Sequence, residues 1–137
     1  MKYSKTELNK LVYNVVGAAI DVHKYIGPGL LEKVYQKCLE KELEIRGIQF
    51  KSEVKVPVKY KGIMIDTELR CDLLIEDYLV LELKSVEKIL PIHEAQILTY
   101  MQLMHVPKGV IINFNVSNLF HEGTKSMVNN IFRDLSD

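Results

Sequence analysis

The chain has no surplus of charge: 18 basic residues meet 18 acidic ones, for a formal net charge of zero. Bulk electrostatics therefore announce no nucleic-acid partner, and any such contact must be a local patch. There are only two cysteines, Cys38 and Cys71, too few for a disulfide framework or an iron–sulfur site. Both fall at apolar positions of a predicted helix and strand, where a reduced thiol acts as a small hydrophobe. No apolar run reaches the ~18 residues that span a membrane, and Met1-Lys2-Tyr3-Ser4-Lys5 leads into no signal-peptide core. These absences set a soluble, cytoplasmic protein as the expectation. No Walker-type glycine loop, repeat or low-complexity linker interrupts the 137 residues. They are expected to form one domain, 1–137, large enough to bury a core.

What the chain does have is charge where a buried strand ought to be. Arg70 to Lys84, RCDLLIEDYLVLELK, reads as a β-hairpin turning at Glu76-Asp77-Tyr78. Alternation places Arg70, Asp72, Glu82 and Lys84 on one face and Cys71, Leu73, Ile75, Leu81 and Leu83 on the other. With that turn Asp72 faces Glu82 across the ladder, close enough to interact, and Arg70 faces Lys84. Two accounts fit the residues alone. The charges form a salt-bridged cluster on a solvated sheet face, or a divalent cation satisfies the acids while a phosphate satisfies the bases.

Around the hairpin, Leu8, Leu11, Val12, Val15, Ala19, Val22 and Ile26 predict a first amphipathic helix, ended by Gly27-Pro28-Gly29. A second follows on the stripe Leu31, Val34, Tyr35, Cys38 and Leu39, with Glu32 at its border and Arg46-Gly47 at its end. Val54 to Tyr60 alternates as a strand made irregular by Pro57, and Lys61-Gly62 turns it into Ile63 to Asp66. Pro91 opens a third helix, with Ile92, Ala95, Leu98 and Met101 or Gln102 on one side and His93, Gln96 and Tyr100 on another. Gly109 to Phe114 suits a buried strand in parallel pairing, and Thr124 to Leu135 is predicted as a last helix. The expected class is α/β, a mixed β-sheet flanked by helices in the order ααβββαβα.

Glu32, Asp72, Glu82-Leu83-Lys84 and Gln96-Ile97-Leu98-Thr99-Tyr100 together resemble the PD-(D/E)xK nuclease superfamily, in its exonuclease-like branch with a Gln-x-x-x-Tyr motif. Gly29-Leu30-Leu31-Glu32-Lys33-Val34-Tyr35 is similar to the signature of the small GxxExxY proteins of bacteria. So are Gly27-Pro28-Gly29, Leu90 to Gln96 and Ile112-Asn113-Phe114-Asn115, and the likeness runs from about Leu8 to Asn129. The resemblance implies a restriction-endonuclease-like core and a metal-dependent nuclease acting on DNA with exonuclease-like character. It implies Mg²⁺, with Mn²⁺ as a substitute, held by Asp72, Glu82, the backbone carbonyl of Leu83 and Glu32. Glu32, Asp72, Glu82 and Lys84 would be the catalytic set, with Lys84 acting on the phosphate or the attacking water, and Gln96, Tyr100 and Arg70 would position substrate. The alternative is a non-catalytic module that binds nucleic acid or protein on the same fold. A homo-oligomer is compatible with either, although no interface is legible in the sequence.

Overall fold

Hydrophobic spacing along the first fifty residues builds one face of the molecule. The computed structural model describes residues 3–137. Helix α1, Lys5–Ile26, starts in a capping box: Glu7 N–H donates to Ser4 Oγ (3.1 Å) and Ser4 N–H to Glu7 Oε1 (2.9 Å). It ends at Gly27, whose φ of 80° leaves the helical region. Helix α2, Glu32–Ile45, buries Tyr35, Gln36, Leu39 and Leu43. Leu31 and Val34 of the expected stripe stay exposed, at 78% and 40%. The Tyr35 ring decides the rotation, because it stacks on Phe114 at 4.3 Å and draws its own side of the helix onto the sheet. Arg46 ties the two helices together, reaching Asp21, Glu42 and the Asn14 carbonyl.

The main sheet has five strands among the described residues, in the order β1-β4-β5-β6-β7. These are β1, Phe50–Lys55; β4, Arg70–Ile75; β5, Leu79–Lys84; β6, Lys108–Asn113; and β7, Thr124–Val128. The hairpin turns at Glu76-Asp77-Tyr78 as expected, with Leu73 opposite Leu81 and Ile75 opposite Leu79. Strand β6 pairs in parallel with β5 and is buried along its whole length, and α3, Pro91–Met104, makes the crossover. The class is α/β, a mixed sheet between helical layers. Leu73, Ile75, Leu79, Leu81, Leu83, Val110 and Ile112 meet α1 and α2. Cys71, Leu74, Val80 and Ile111 meet Ile97, Tyr100 and Met101 of α3.

Three expectations fail. Val54 to Tyr60 is not one strand: Lys55 ends β1, Pro57 interrupts, and β2, Val58–Tyr60, pairs only with β3, Ile63–Ile65, in a separate two-stranded arm. Thr124 to Leu135 is not a helix. Its first part is β7, antiparallel to β6 and covering that strand's open edge, and only Asn130–Arg133 winds into a short helix, α5, after the equally short α4, Leu119–Glu122. Finally, α3 buries Ile97, Tyr100 and Met101 while Ile92 is 68% exposed. Apolar residues ring this helix, so spacing could not select the buried side. No helix of the described residues is long and apolar enough to cross a membrane.

Candidate functional site

The regular pairing of β4 with β5 gives way at Asp72 and Glu82. The Asp72 N–H donates to Glu82 Oε2 at 2.8 Å, and the Leu83 N–H donates to Asp72 Oδ2 at 2.7 Å. Each carboxylate thus takes a backbone donor from the opposite strand, so each acid clamps the strand that carries the other. Glu82 is 6% exposed and Asp72 is half-buried.

The local cause lies in β1. Glu53 has a φ of 53°, and it faces Asp72 at the one position missing from a register that pairs Ser52 with Leu73 and Val54 with Cys71. A left-handed residue inside a strand turns the backbone there. The alternation of β4 changes with it: Cys71 was expected beside Leu73 but packs with Leu74 and Val80 on the α3 side.

Both acids hold their protons more tightly than free carboxyls do. Burial pushes the Glu82 carboxyl up to about 8, and the charge on Asp72 adds to it, against the pull of the Asp72 N–H and Lys84. The Asp72 carboxyl is also raised, first by burial and then by Glu53 and Glu32, while the Leu83 N–H and Lys33 oppose. A buried acid whose ionisation is disfavoured by burial and by a neighbouring carboxylate marks a candidate functional site. Among the described residues no group of three His, Cys, Asp or Glu side chains is gathered tightly enough to hold a metal ion. The donor chemistry fits a hard divalent cation as a nucleus of two carboxylates, to which other oxygen ligands must be added.

The other expected residues surround this nucleus unequally. Lys84 is half-buried at the end of β5, and its charge acts on Glu82. Glu32 opens α2, exposed, with its charge felt by both acids. Tyr100 is 6% exposed on α3, and burial followed by the charges of Glu82 and Asp72 raises its hydroxyl. Gln96, one turn earlier, is exposed. Leu83 contributes its N–H to Asp72 while its side chain enters the core on the α1 and α2 side. Arg70 is turned outward, 3.7 Å from Glu68 and 3.4 Å from the Glu53 carbonyl. A cavity of about 740 Å³ near Tyr78, His105 and Leu135 lies at the opposite end of β5.

Three supports were missed in the sequence. Gln36 is 4% exposed, and its Nε2 reaches Glu53 Oε2 (2.9 Å), Glu40 Oε2 (3.1 Å) and the Asp72 carbonyl (3.4 Å). It stands four residues after Glu32 and so on the same helical side, a signal that was available. Glu53, bridged to Lys33 at 2.7 Å, carries its strain in backbone geometry, which composition does not reveal. Asn113, 1% exposed, accepts the Val86 N–H (3.1 Å) and donates to the Val86 carbonyl (2.9 Å), fixing the chain that leaves Lys84. A lone amide in the apolar run Val110 to Phe114 was its trace.

The segment Gly29 to Tyr35 gains a physical reading. The Tyr35 hydroxyl donates to the Gly27 carbonyl (2.6 Å) and accepts the Leu30 N–H (3.2 Å), while Ser85 Oγ donates to the Leu30 carbonyl (2.6 Å). Gly29, at φ 95°, lets the loop turn. The loop that launches Glu32 is thereby fastened to the segment leaving β5. His93 accepts the Leu90 N–H at 3.0 Å and closes the start of α3.

Comparison with curated proteins and with solved structures gives no significant match. The family model of the PD-(D/E)XK nuclease superfamily matches residues 9–127. That stretch runs from α1 into β7 and takes in the paired acids, Lys84 and α3, in a fold consistent with a restriction-endonuclease-like core. The chain belongs to the PD-(D/E)XK nuclease superfamily.

Proposed function

We propose that this chain is a metal-dependent nuclease of the GxxExxY kind, hydrolysing phosphodiester bonds in DNA with exonuclease-like character. The observation that carries the reading is the buried Asp72–Glu82 pair, whose crossed backbone bonds hold two mutually repelling carboxylates beside Lys84. Asp72, Glu82 and the Leu83 carbonyl would hold Mg²⁺ or Mn²⁺, with Glu32 reaching in directly or through water. Such an ion supplies a nucleophile from water near neutral pH and neutralises charge on the phosphoryl group. Lys84 places an ammonium on the scissile phosphate or orients the attacking water. Tyr100 lies within the field of both acids and positions the substrate together with Gln96, while Arg70 takes an outlying phosphate.

The exposed Glu32 and the absence of a ready-made three-acid cage among the described residues favour a second reading, a non-catalytic module that binds nucleic acid or protein. One experiment separates the two. The purified chain is incubated with linear, circular, single-stranded and structured DNA and RNA, in Mn²⁺ or in chelator, while calorimetry follows Mn²⁺ binding. Saturable Mn²⁺ heat and chelator-sensitive cleavage are expected, both lost in Glu82→Ala, with a rate loss of at least about a hundred-fold. Undiminished cleavage by Glu82→Ala would end the nuclease assignment to this pair.

A further inference from the structure

The β2–β3 arm has no structural reason to be apolar. Its strands are three residues each and pair only with one another, and a lone two-stranded hairpin is marginal in water. Val58 lies opposite Ile65 and Tyr60 opposite Ile63, so alternation puts all four on one side of the ribbon. Tyr60 is 58% exposed, Ile63 60% and Ile65 38%. Lys61 and Gly62, at φ 46° and 87°, make the two-residue turn that a tight hairpin requires. The apolar side is therefore held out in solvent by a defined turn.

Its place in the fold is equally specific. The arm joins the end of β1 to the start of β4, closed at its root by the Val56 N–H donating to the Leu69 carbonyl at 2.9 Å. Asp72 is near the start of β4 and Glu82 and Lys84 are at the end of the antiparallel β5. The arm thus projects from the sheet end that bears the candidate site. A cleft of about 430 Å³ at its root is lined by Lys55, Val56, Pro57, Met64, Ile65 and Asp66.

Charge and area select the occupant. In a chain of zero net charge, residues 55–70 hold Lys55, Lys59, Lys61 and Arg70 against only Asp66 and Glu68. The Lys61 ammonium stands 5.3 Å from the Tyr60 ring centroid, so aromatic face and cation already meet at the tip. A ribbon three residues long is about 10 Å on a side, far short of the roughly 800 Å² per partner that a stable dimer needs. The pattern of an aromatic platform among lysines matches a nucleic-acid strand, with bases on the ring and phosphates on the cations.

We infer that the β2–β3 arm is a grip for single-stranded nucleic acid, stacking a base on Tyr60 and holding the adjoining phosphate with Lys61 so that the strand runs toward Asp72 and Glu82. The inference rests on the nuclease reading and names the surface through which that site receives its substrate.

The test measures anisotropy of a fluorescent single-stranded oligonucleotide in Ca²⁺, for the unaltered chain, Tyr60→Ser and Lys61→Ala, with thermal melts confirming that each is folded. Tyr60→Ser is expected to weaken binding by roughly ten-fold or more. Lys61→Ala should flatten the slope of log affinity against log salt by about 0.7, the share of one phosphate contact. In Mn²⁺, cleavage by Tyr60→Ser should show a raised KM with kcat little changed. Unaltered affinity in both variants, while the parent chain still binds and cleaves, overturns the arm and leaves the nuclease reading standing. No binding and no cleavage by the parent chain overturns both. A dimer in sedimentation that Tyr60→Ser dissociates, with oligonucleotide affinity unchanged, overturns the arm in favour of contact between copies.

Discussion

The two halves of β5 are built on opposite principles. From Leu79 to Leu81 the strand pairs in register with β4 and β6, and its side chains are fully buried between the helical layers. From Glu82 to Lys84 the bond to β6 continues, but on the β4 side two carboxylates receive backbone N–H groups across the gap. The first half gains free energy from apolar burial and the second holds charge that burial opposes. The packed half fixes the register that brings the two acids to one another's strands. Stability and chemistry are thus adjacent on one strand, and the former holds the latter in place.

Removing bulk from the packed half breaks this contrast most severely. Leu81 is fully buried and belongs to the core against α1 and α2. Leu81→Ala should cost about 3 kcal/mol by urea denaturation, from lost transfer energy and the residual cavity. A loss under about 1 kcal/mol would mean that the packed half is not what anchors the strand.

Neutralising the charged half should act in the opposite direction. The Glu82 carboxyl is raised from 4.5 to about 8 in the fold, so the folded chain holds a proton that the unfolded chain releases. Stability from this group is complete below the ordinary carboxylate value and is lost as pH rises through that window toward 8. Glu82→Gln keeps an oxygen to accept the Asp72 N–H but carries no charge. In chelator at pH 8 it should therefore be more stable than the parent, with the difference closing as the pH falls toward 4.5. Urea melts across that range measure both ends. A variant less stable than the parent at pH 8 would show that the pair stabilises the fold even without a cation.

The packed half was readable because its evidence is local. The tip at Asp77 and the facing of Asp72 and Glu82 follow from counting outward from one polar turn, and β6 from a run of apolar residues between Pro107 and Asn115. The charged half was readable as a set of residue types and much less as geometry. The backbone reversal at Glu53 sends Cys71 to the unexpected face, and no residue type there signals a positive φ. Gln36 and Asn113 carried a trace, one four residues after Glu32 and the other an amide in an apolar run, but the Asp72 carbonyl and Val86 that they reach lie 36 and 27 residues away. Strand β7 escaped because the reason for its conformation is the edge of β6, a tertiary fact.

The smallest expected effect tests how Glu32 is brought to the paired acids. Tyr35 does two things: its ring packs on Phe114, and its hydroxyl fastens the Gly27 and Leu30 backbone that precedes Glu32. Tyr35→Phe keeps the first and removes the second. The packing half of the molecule should hardly notice, losing about 1 kcal/mol for the hydrogen bonds of one hydroxyl. Glu32 then follows a loop secured chiefly through Ser85, and a ligand that must be ordered before it binds contributes less. Mn²⁺ affinity by calorimetry should fall by roughly three- to ten-fold, the order expected for outer supports of a metal site at their weak end. Glu32→Gln should lower it at least as far without any loss of stability, because Glu32 is exposed. If Tyr35→Phe lowers stability but leaves Mn²⁺ affinity at the parent value, the loop serves the fold alone and Glu32 does not belong with Asp72 and Glu82.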